Sequence, residues 1–95
     1  MYVSMIQIIV DLPDIESIKD KRKIVLSLKD RIIRRFKISF AEIDLQDSLR
    51  FSQLGGAIVS NEKAFGEKVM QSVMRLVEDE LPGRIHDVQI YTEQF

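Results

Sequence analysis

The chain has 95 residues, a length typical of one domain, and its fourteen Lys and Arg residues against fifteen Asp and Glu residues give a net charge of −1. A hydrophobic fraction of 45% with a charged fraction of 31% is that of a globular protein and argues against a disordered chain. The absence of Cys excludes disulfides, thiolate zinc sites, iron–sulfur clusters and cysteine nucleophiles. We therefore expect a single domain over residues 1–95.

The first predicted element is a strand from Tyr2 to Leu12, which is rich in β-branched residues and ends at the turn signal Pro13-Asp14. Its even positions are apolar and should face the core: Ile6, Ile8, Val10 and Leu12. The apolar run ends at Asp11, far short of the roughly 20 residues that span a bilayer, and it lacks a basic leader and a cleavage site. We expect a cytoplasmic location and no membrane contact.

A helix should follow, opened by Ser17 as N-cap, with Asp20 three residues later as a weaker form of the capping-box acid. Apolar residues recur every four positions and form an amphipathic stripe, with Ile18 and Val25 beside it: Ile24, Leu28, Ile32 and Phe36.

The rest of the chain predicts two more strands, a second helix and a final strand. Ile38 to Gln46 alternates as a strand, 47–52 is a loop, and 53–60 is a third strand with two glycines. Asn61 should cap the second helix, which Pro82-Gly83 stops. The stripe of this helix is Phe65, Val69, Val73, Leu76 and Val77, and Arg84 to Phe95 is the fourth strand.

The predicted order is β-α-β-β-α-β. Two helices that each bury one stripe, with four strands that share one apolar face, favour a two-layer α+β sandwich. The ferredoxin-like fold is the natural solution, because each β-α-β half takes the right-handed crossover. We therefore expect a four-stranded antiparallel sheet with both helices on one face.

Four segments resemble successive motifs of the small bacterial YlxP-like family: "MYVSMIQIIVDLP", "SIKDKRKIVLSLKDRIIRRFKIS", "AEIDLQD" and "GGAIVSNE". The resemblance implies a ferredoxin-like, cytoplasmic bacterial protein, often encoded near genes for transcription elongation, translation initiation and ribosome maturation. Some members carry the label ribosome-binding factor, and the family brings no established activity or catalytic residues. The chain departs from the family where members often place a Trp, at Leu49, Arg50 and Phe51, and where a His is common, at Leu45.

Charge is concentrated in the first helix. Residues 16–37 hold nine of the fourteen basic residues beside three acids, which leaves five basic and twelve acidic residues elsewhere. Such a surface suits phosphates, so we expect a contact with ribosomal RNA or a ribosomal particle through Lys19, Lys21, Arg22, Lys23, Lys29, Arg34 and Arg35. The alternative is a solvated helix whose cations pair with the acidic remainder, for example with the "VEDE" segment at 77–80.

The sheet should have an apolar face turned away from the helices, with Val3, Met5 and Ile9 on it. The third strand has no aromatic residue and the first has only Tyr2, so base stacking on the sheet is not expected. An exposed apolar sheet face favours a subunit contact, and we expect a homo-oligomer.

Three further features are weak candidates for chemistry. Glu42, Asp44 and Gln46 alternate along the second strand and suit Mg²⁺ in principle, but a solvated edge strand explains them better. His86 is the only histidine and no spacing pairs it with Ser52, Ser60 or Ser72. Acylphosphatase-like chemistry needs an arginine in the loop after the first strand, where "DLPDIES" supplies acids. We expect no catalytic residue, no metal and no cofactor.

The sequence therefore predicts a non-enzymatic accessory protein that contacts RNA through its first helix. The alternative function is an oligomeric protein-interaction or sensory module that uses the open sheet face.

Overall fold

A computed structural model describes all of residues 1–95. The elements are β1 (Tyr2–Asp11), α1 (Ile18–Phe36), β2 (Ser39–Asp44), β3 (Phe51–Ser60), α2 (Lys63–Glu80) and β4 (Ile85–Gln94). The four strands form one sheet in the order β2-β3-β1-β4, and every neighbouring pair is antiparallel. Both helices and all four strands contribute apolar side chains to one core, as the predicted ferredoxin-like sandwich requires.

Strand β1 lies in the middle of the sheet and confirms the predicted alternation. Ile6, Ile8 and Val10 are almost fully buried and point towards the helices. Their odd-numbered neighbours are half-buried on the other surface, which we call the open face. Because β1 pairs with β3 on one side and with β4 on the other, its side chains occupy the centre of both surfaces.

Helix α1 begins and ends as its sequence indicates. The Ser17 hydroxyl accepts a hydrogen bond from the Asp20 N–H at 3.1 Å, which satisfies one of the unpaired donors of the first turn. At the other end, Lys37 adopts a left-handed conformation with φ of 56°, and its N–H donates to the Ile33 carbonyl. The buried stripe is Lys21, Val25, Leu28 and Ile32, so the predicted Ile24 and Phe36 lie at its margins.

The predicted start of α2 was wrong by one residue. Glu62, not Asn61, is the N-cap, and it makes no side-chain capping bond. Phe65 does not belong to the buried stripe, since it is 52% exposed. The stripe instead starts at Gly66, which packs against Ser4 of β1, and continues through Met70, Val73, Leu76 and Val77.

Strand β2 is shorter than predicted, and β3 is longer. β2 ends at Asp44 because Leu45 has a φ of 64°, a left-handed conformation that a strand cannot accommodate. A bulge between Glu42 and Asp44 interrupts its pairing with β3, which begins at Phe51 rather than at 53. Glu42 lies on the same side of β2 as Phe40 and faces the helices, whereas the bulge after it brings Asp44 opposite Gln53. The two carboxylates therefore do not share one face, as the sequence predicted.

Candidate nucleic-acid interface

Six of the predicted RNA-contact residues lie on the outer surface of α1. Lys19, Lys23 and Arg34 project away from the core, opposite the buried stripe, and the others lie on the flanks. All are exposed except Lys29, which is half-buried. We call this set the basic face: Lys19, Arg22, Lys23, Lys29, Arg34 and Arg35.

No residue of the basic face has a carboxylate within 4.0 Å. The two basic side chains of α1 that are paired lie outside it: Lys21 contacts Glu42, and Arg31 contacts Glu80 at the end of α2. The alternative interpretation, a solvated helix, predicts that the cations of α1 pair with the acidic segment 77–80. Only Arg31 forms an ion pair with that segment. The helix therefore presents unpaired positive charge to solvent.

The acidic end of α2 lies close to one end of the basic face. A hollow of about 430 Å³ separates the two helices there, lined by Arg31, Arg34, Arg35, Leu76, Asp79 and Glu80. The guanidinium of Arg35 also lies over the ring of Phe36, 5.3 Å from its centroid. The carboxylates reduce the positive potential near Arg34 and Arg35, and Glu80 also lines a neighbouring hollow with Lys23.

Lys21 is a correction to the predicted set, because its side chain cannot reach a ligand outside the fold. The residue is 1% exposed, and its Nζ donates to the carbonyls of Leu45 and Ser48 at 2.6 Å each. Glu42 Oε2 lies 3.3 Å from the same Nζ and accepts a hydrogen bond from the Ser52 hydroxyl. Lys21 thus ties the loop between β2 and β3 to α1.

The sequence contained an indication that Lys21 is buried. Lys21 stands four residues before Val25 and seven before Leu28, so it shares the helix surface of the buried stripe. A cation at that position is buried only with partners, since an unpaired charge in the core is strongly unfavourable. Nothing in the spacing of Glu42 or the loop carbonyls identifies those partners, because these contacts join α1 to residues 21 or more positions away and depend on how the elements pack.

The end of the sheet near the loops carries a second polar cluster. Arg50 donates to both carboxylate oxygens of Asp11, at 2.7 and 2.9 Å, and these hydrogen bonds hold the pKa of Asp11 below its usual 3.8. Arg84 donates to Asp14 at 3.2 Å. Since the guanidinium groups of Arg50 and Arg84 are each already bonded to a carboxylate, this end of the sheet is poorly suited to bind phosphate.

His86 packs beside Phe51, with 5.6 Å between ring centroids. The three serines considered as its partners bond elsewhere: Ser52 to Glu42, Ser60 to the Glu62 carbonyl and Ser72 to the Lys68 carbonyl. No group of three or more His, Asp or Glu side chains converges as metal ligands would. The absence of metal and cofactor remains a prediction.

Val3, Met5 and Ile9 lie on the open face as predicted, and each is half-buried by its neighbours in the sheet. Two long polar side chains also cross this surface: Gln7 donates to the Tyr91 hydroxyl and accepts from Gln53, both at 3.3 Å. Neither helix is long and apolar enough to cross a membrane. Partner binding therefore has two candidate surfaces, the basic face and the open face.

The fold places the protein among small ferredoxin-like α+β domains. Residues 3–90 match the model of a family described as "Protein of unknown function (DUF503)", and the chain belongs to that family. It is 31% identical over 65 residues to the Bacillus subtilis (strain 168) protein described as "Uncharacterized protein YlxP", an alignment covering 68% of this chain and 71% of the relative. The predicted family resemblance is thereby confirmed.

Similar solved structures support the fold. A de novo designed protein with a ferredoxin fold aligns over 98% of this chain and 83% of its own, with a TM-score of 0.59 and 14% identity. Acylphosphatase from Bacillus subtilis aligns over 100% and 88%, with a TM-score of 0.53 and 12% identity. A dimeric protein of unknown function from Bacteroides fragilis aligns over 99% and 96%, with a TM-score of 0.50 and 10% identity. At these identities the likeness extends to the fold and not to activity.

Proposed function

We propose that the protein is a non-enzymatic accessory protein that contacts RNA phosphates, in ribosomal RNA or a ribosome-assembly particle, through the basic face of α1. All six cations of this face lack an ion-pair partner within the chain, and this observation is the main support for the proposal. Phosphates supply such partners, and their binding depends on charge more than on exact geometry.

The shape of α1 also supports a contact with an extended polyanion. Nineteen helical residues span about 28 Å, which places the cations along a rod and not in one pocket. Leu26 lies among them and is 57% exposed. An apolar side chain between Lys19, Arg22 and Lys23 suits a partner that offers sugar or base surface beside its phosphates.

The open face is less suited to RNA. Its strand residues include no Lys or Arg, and its aromatic residues, Phe51 and Tyr91, lie at the beginning of β3 and on the edge strand β4. Domains that read RNA on a sheet stack bases on aromatics of the central strands. The alternative function, an oligomeric interaction or sensory module, is the one that the apolar open face favours.

Exchanging Lys19, Lys23 and Arg34 for Gln should weaken RNA binding about a hundredfold at 0.1 M salt, since each lost phosphate contact removes roughly 0.7–0.9 units of salt slope. The loss should be similar for all RNA sequences, because phosphates carry no sequence information. Gln keeps the helix propensity and the core is untouched, so the thermal midpoint should shift little. Filter binding to ribosomal RNA fragments and co-sedimentation with ribosomal particles measure the effect.

The matched control removes the same amount of charge from α2, by Lys63→Gln, Lys68→Gln and Arg75→Gln, all at exposed positions. Glu80 is unsuitable for a control because it pairs with Arg31. If both triple variants lose binding equally, net charge and not the basic face controls affinity. If the α1 variant co-sediments as well as the wild type at low salt, the proposed function is wrong.

A further inference from the structure

A shallow apolar hollow of about 280 Å³ lies in the open face. Gly55 lies on the open face and has no side chain to fill the surface of β3 at this point, whereas Gly56 faces the core. Met5 and Tyr91 stand on one side of it, and Ala41 and Ile43 on the other. Met5 and Tyr91 therefore form a ridge beside the hollow in the same surface.

The sheet register shows that ridge and hollow are two halves of one face. Cross-strand neighbours define two central rows, Tyr91–Met5–Ala57–Ser39 and Gln89–Gln7–Gly55–Ala41. In both rows, β4 and β1 carry the large side chains, whereas β3 and β2 carry the small ones. Within these two rows, the division between large and small residues follows the line between β1 and β3, which is the midline of the sheet. The exposed Ile43 and Val59 lie outside the two rows.

We propose that the open face binds a second copy of this chain, related by a two-fold axis that lies between the two sheets and parallel to the strands. Such an axis sets β1 over β3 and β4 over β2 of the partner, so the ridge of each copy fills the hollow of the other. Met5 of each copy then contacts Ala57 of the other copy, so the same contact forms twice, as the isologous symmetry of a dimer requires.

The other in-plane axis, perpendicular to the strands, fits the surface poorly. It would set ridge over ridge and leave the two hollows facing one another as a void, which close-packed interfaces avoid. It would also bring Asp87 and Glu93 of β4 against the same carboxylates of the partner. With the axis parallel to the strands, Glu93 instead lies over the start of β2 near Lys37, and only Asp87 approaches another carboxylate, Asp44 at the margin.

The size of the face is sufficient for a specific dimer. Strands of about ten residues at 3.3 Å each, spaced about 4.8 Å apart, give roughly 600 Å² per copy and roughly 1,200 Å² per dimer, the lower limit for stable interfaces. The absence of Lys and Arg among its strand residues also separates this surface from the basic face. The dimer would place the two copies of α1 on its opposite outer sides, so the inference does not depend on RNA binding.

Sedimentation equilibrium from about 1 to 100 µM tests the proposal, since interfaces of this size hold in that range. The wild type should be a dimer. Met5→Lys and Ala57→Glu should each weaken association at least tenfold, because two unpaired charges then enter the apolar centre. Met5→Lys combined with Ile9→Lys should give a folded monomer, and Gln71→Lys on the exposed surface of α2 is the control that should change nothing.

An equimolar mixture of the Met5→Lys and Ala57→Glu chains tests the axis itself. In the mixed dimer, the introduced lysine faces the introduced glutamate once, and the second contact is the native one, so association should recover. Circular dichroism establishes that each chain is folded before mixing. A wild type that remains monomeric at 100 µM, or a mixture that associates no better than its components, overturns the proposal.

Discussion

Replacing Lys21 with Met should lower the free energy of unfolding by about 2–4 kcal/mol, a large share of the stability of a small domain. The substitution removes two hydrogen bonds to the carbonyls of Leu45 and Ser48 and leaves the Glu42 carboxylate without its cation. The estimate is below the loss typical of a broken buried ion pair, because Glu42 keeps the Ser52 hydrogen bond and some contact with water. Urea denaturation measures the loss.

The control is Lys23→Met on the same helix, where the exposed side chain has no ion-pair partner and the change should stay within about 0.5 kcal/mol. Adding Glu42→Gln to Lys21→Met should restore part of the loss, since no unpaired charge then remains. A Lys21→Met variant as stable as the wild type would show that the loop between β2 and β3 is held by other contacts.

Gly66→Ala should destabilise the protein by about 2 kcal/mol, although alanine is the better helix former by about 1 kcal/mol. A Cβ at this position would lie 2.8 Å from Ser4 Cβ and still closer to the Ser4 hydroxyl, so α2 must move away from β1. Rotation of the hydroxyl cannot relieve the contact with Ser4 Cβ. Thermal and urea unfolding measure the effect.

Gly55→Ala is the matched control for Gly66→Ala. Its Cβ would meet only the side chain of Ile43, at 3.0 Å, and that side chain is exposed and free to move. Combining Gly66→Ala with Ser4→Gly should recover stability, because the obstructing Cβ is then absent. A Gly66→Ala protein more stable than the wild type would mean that helix propensity outweighs the close approach of α2 to the sheet.

The fold was predictable because local patterns and overall topology agree. The alternation of Ile6, Ile8 and Val10 identifies a half-buried strand, and Ser17 with the following apolar stripe identifies α1. The start of α2 was harder, since Phe65 continues the spacing of Val69 and Val73 whereas the buried residue is Gly66. A glycine carries no hydrophobic signal, and its burial depends on how closely the helix approaches Ser4, which is a tertiary property.

The candidate site was predictable to the level of a surface but not of each residue. Charge density along α1 indicated a cationic face, and six of the seven proposed side chains lie on it. Lys21 was the exception because its partners come from β2 and from the following loop, 21 or more residues away. The ridge and hollow of the open face depend on the register between strands, which single-strand patterns do not specify.

The two proposed surfaces are compatible with one another. The open face and the helices lie on opposite sides of the sheet, so a face-to-face dimer leaves both copies of the basic face accessible. Each dimer then offers two cationic helices, and simultaneous contact with one RNA would raise its apparent affinity above that of a single face. RNA binding and association can therefore be measured separately, with variants of α1 and of β1.

The salt dependence of RNA binding by the wild type is the most direct test of contact between the basic face and RNA phosphates. If the six cations of the basic face contact phosphates, the logarithm of the association constant should fall linearly with the logarithm of salt concentration, with a slope of roughly −4 to −5. The α1 triple Gln variant should show about half that slope, and the α2 control should keep the full value. A wild-type protein that binds no RNA at low salt, or one whose affinity is insensitive to salt, would show that the basic face does not bind RNA phosphates.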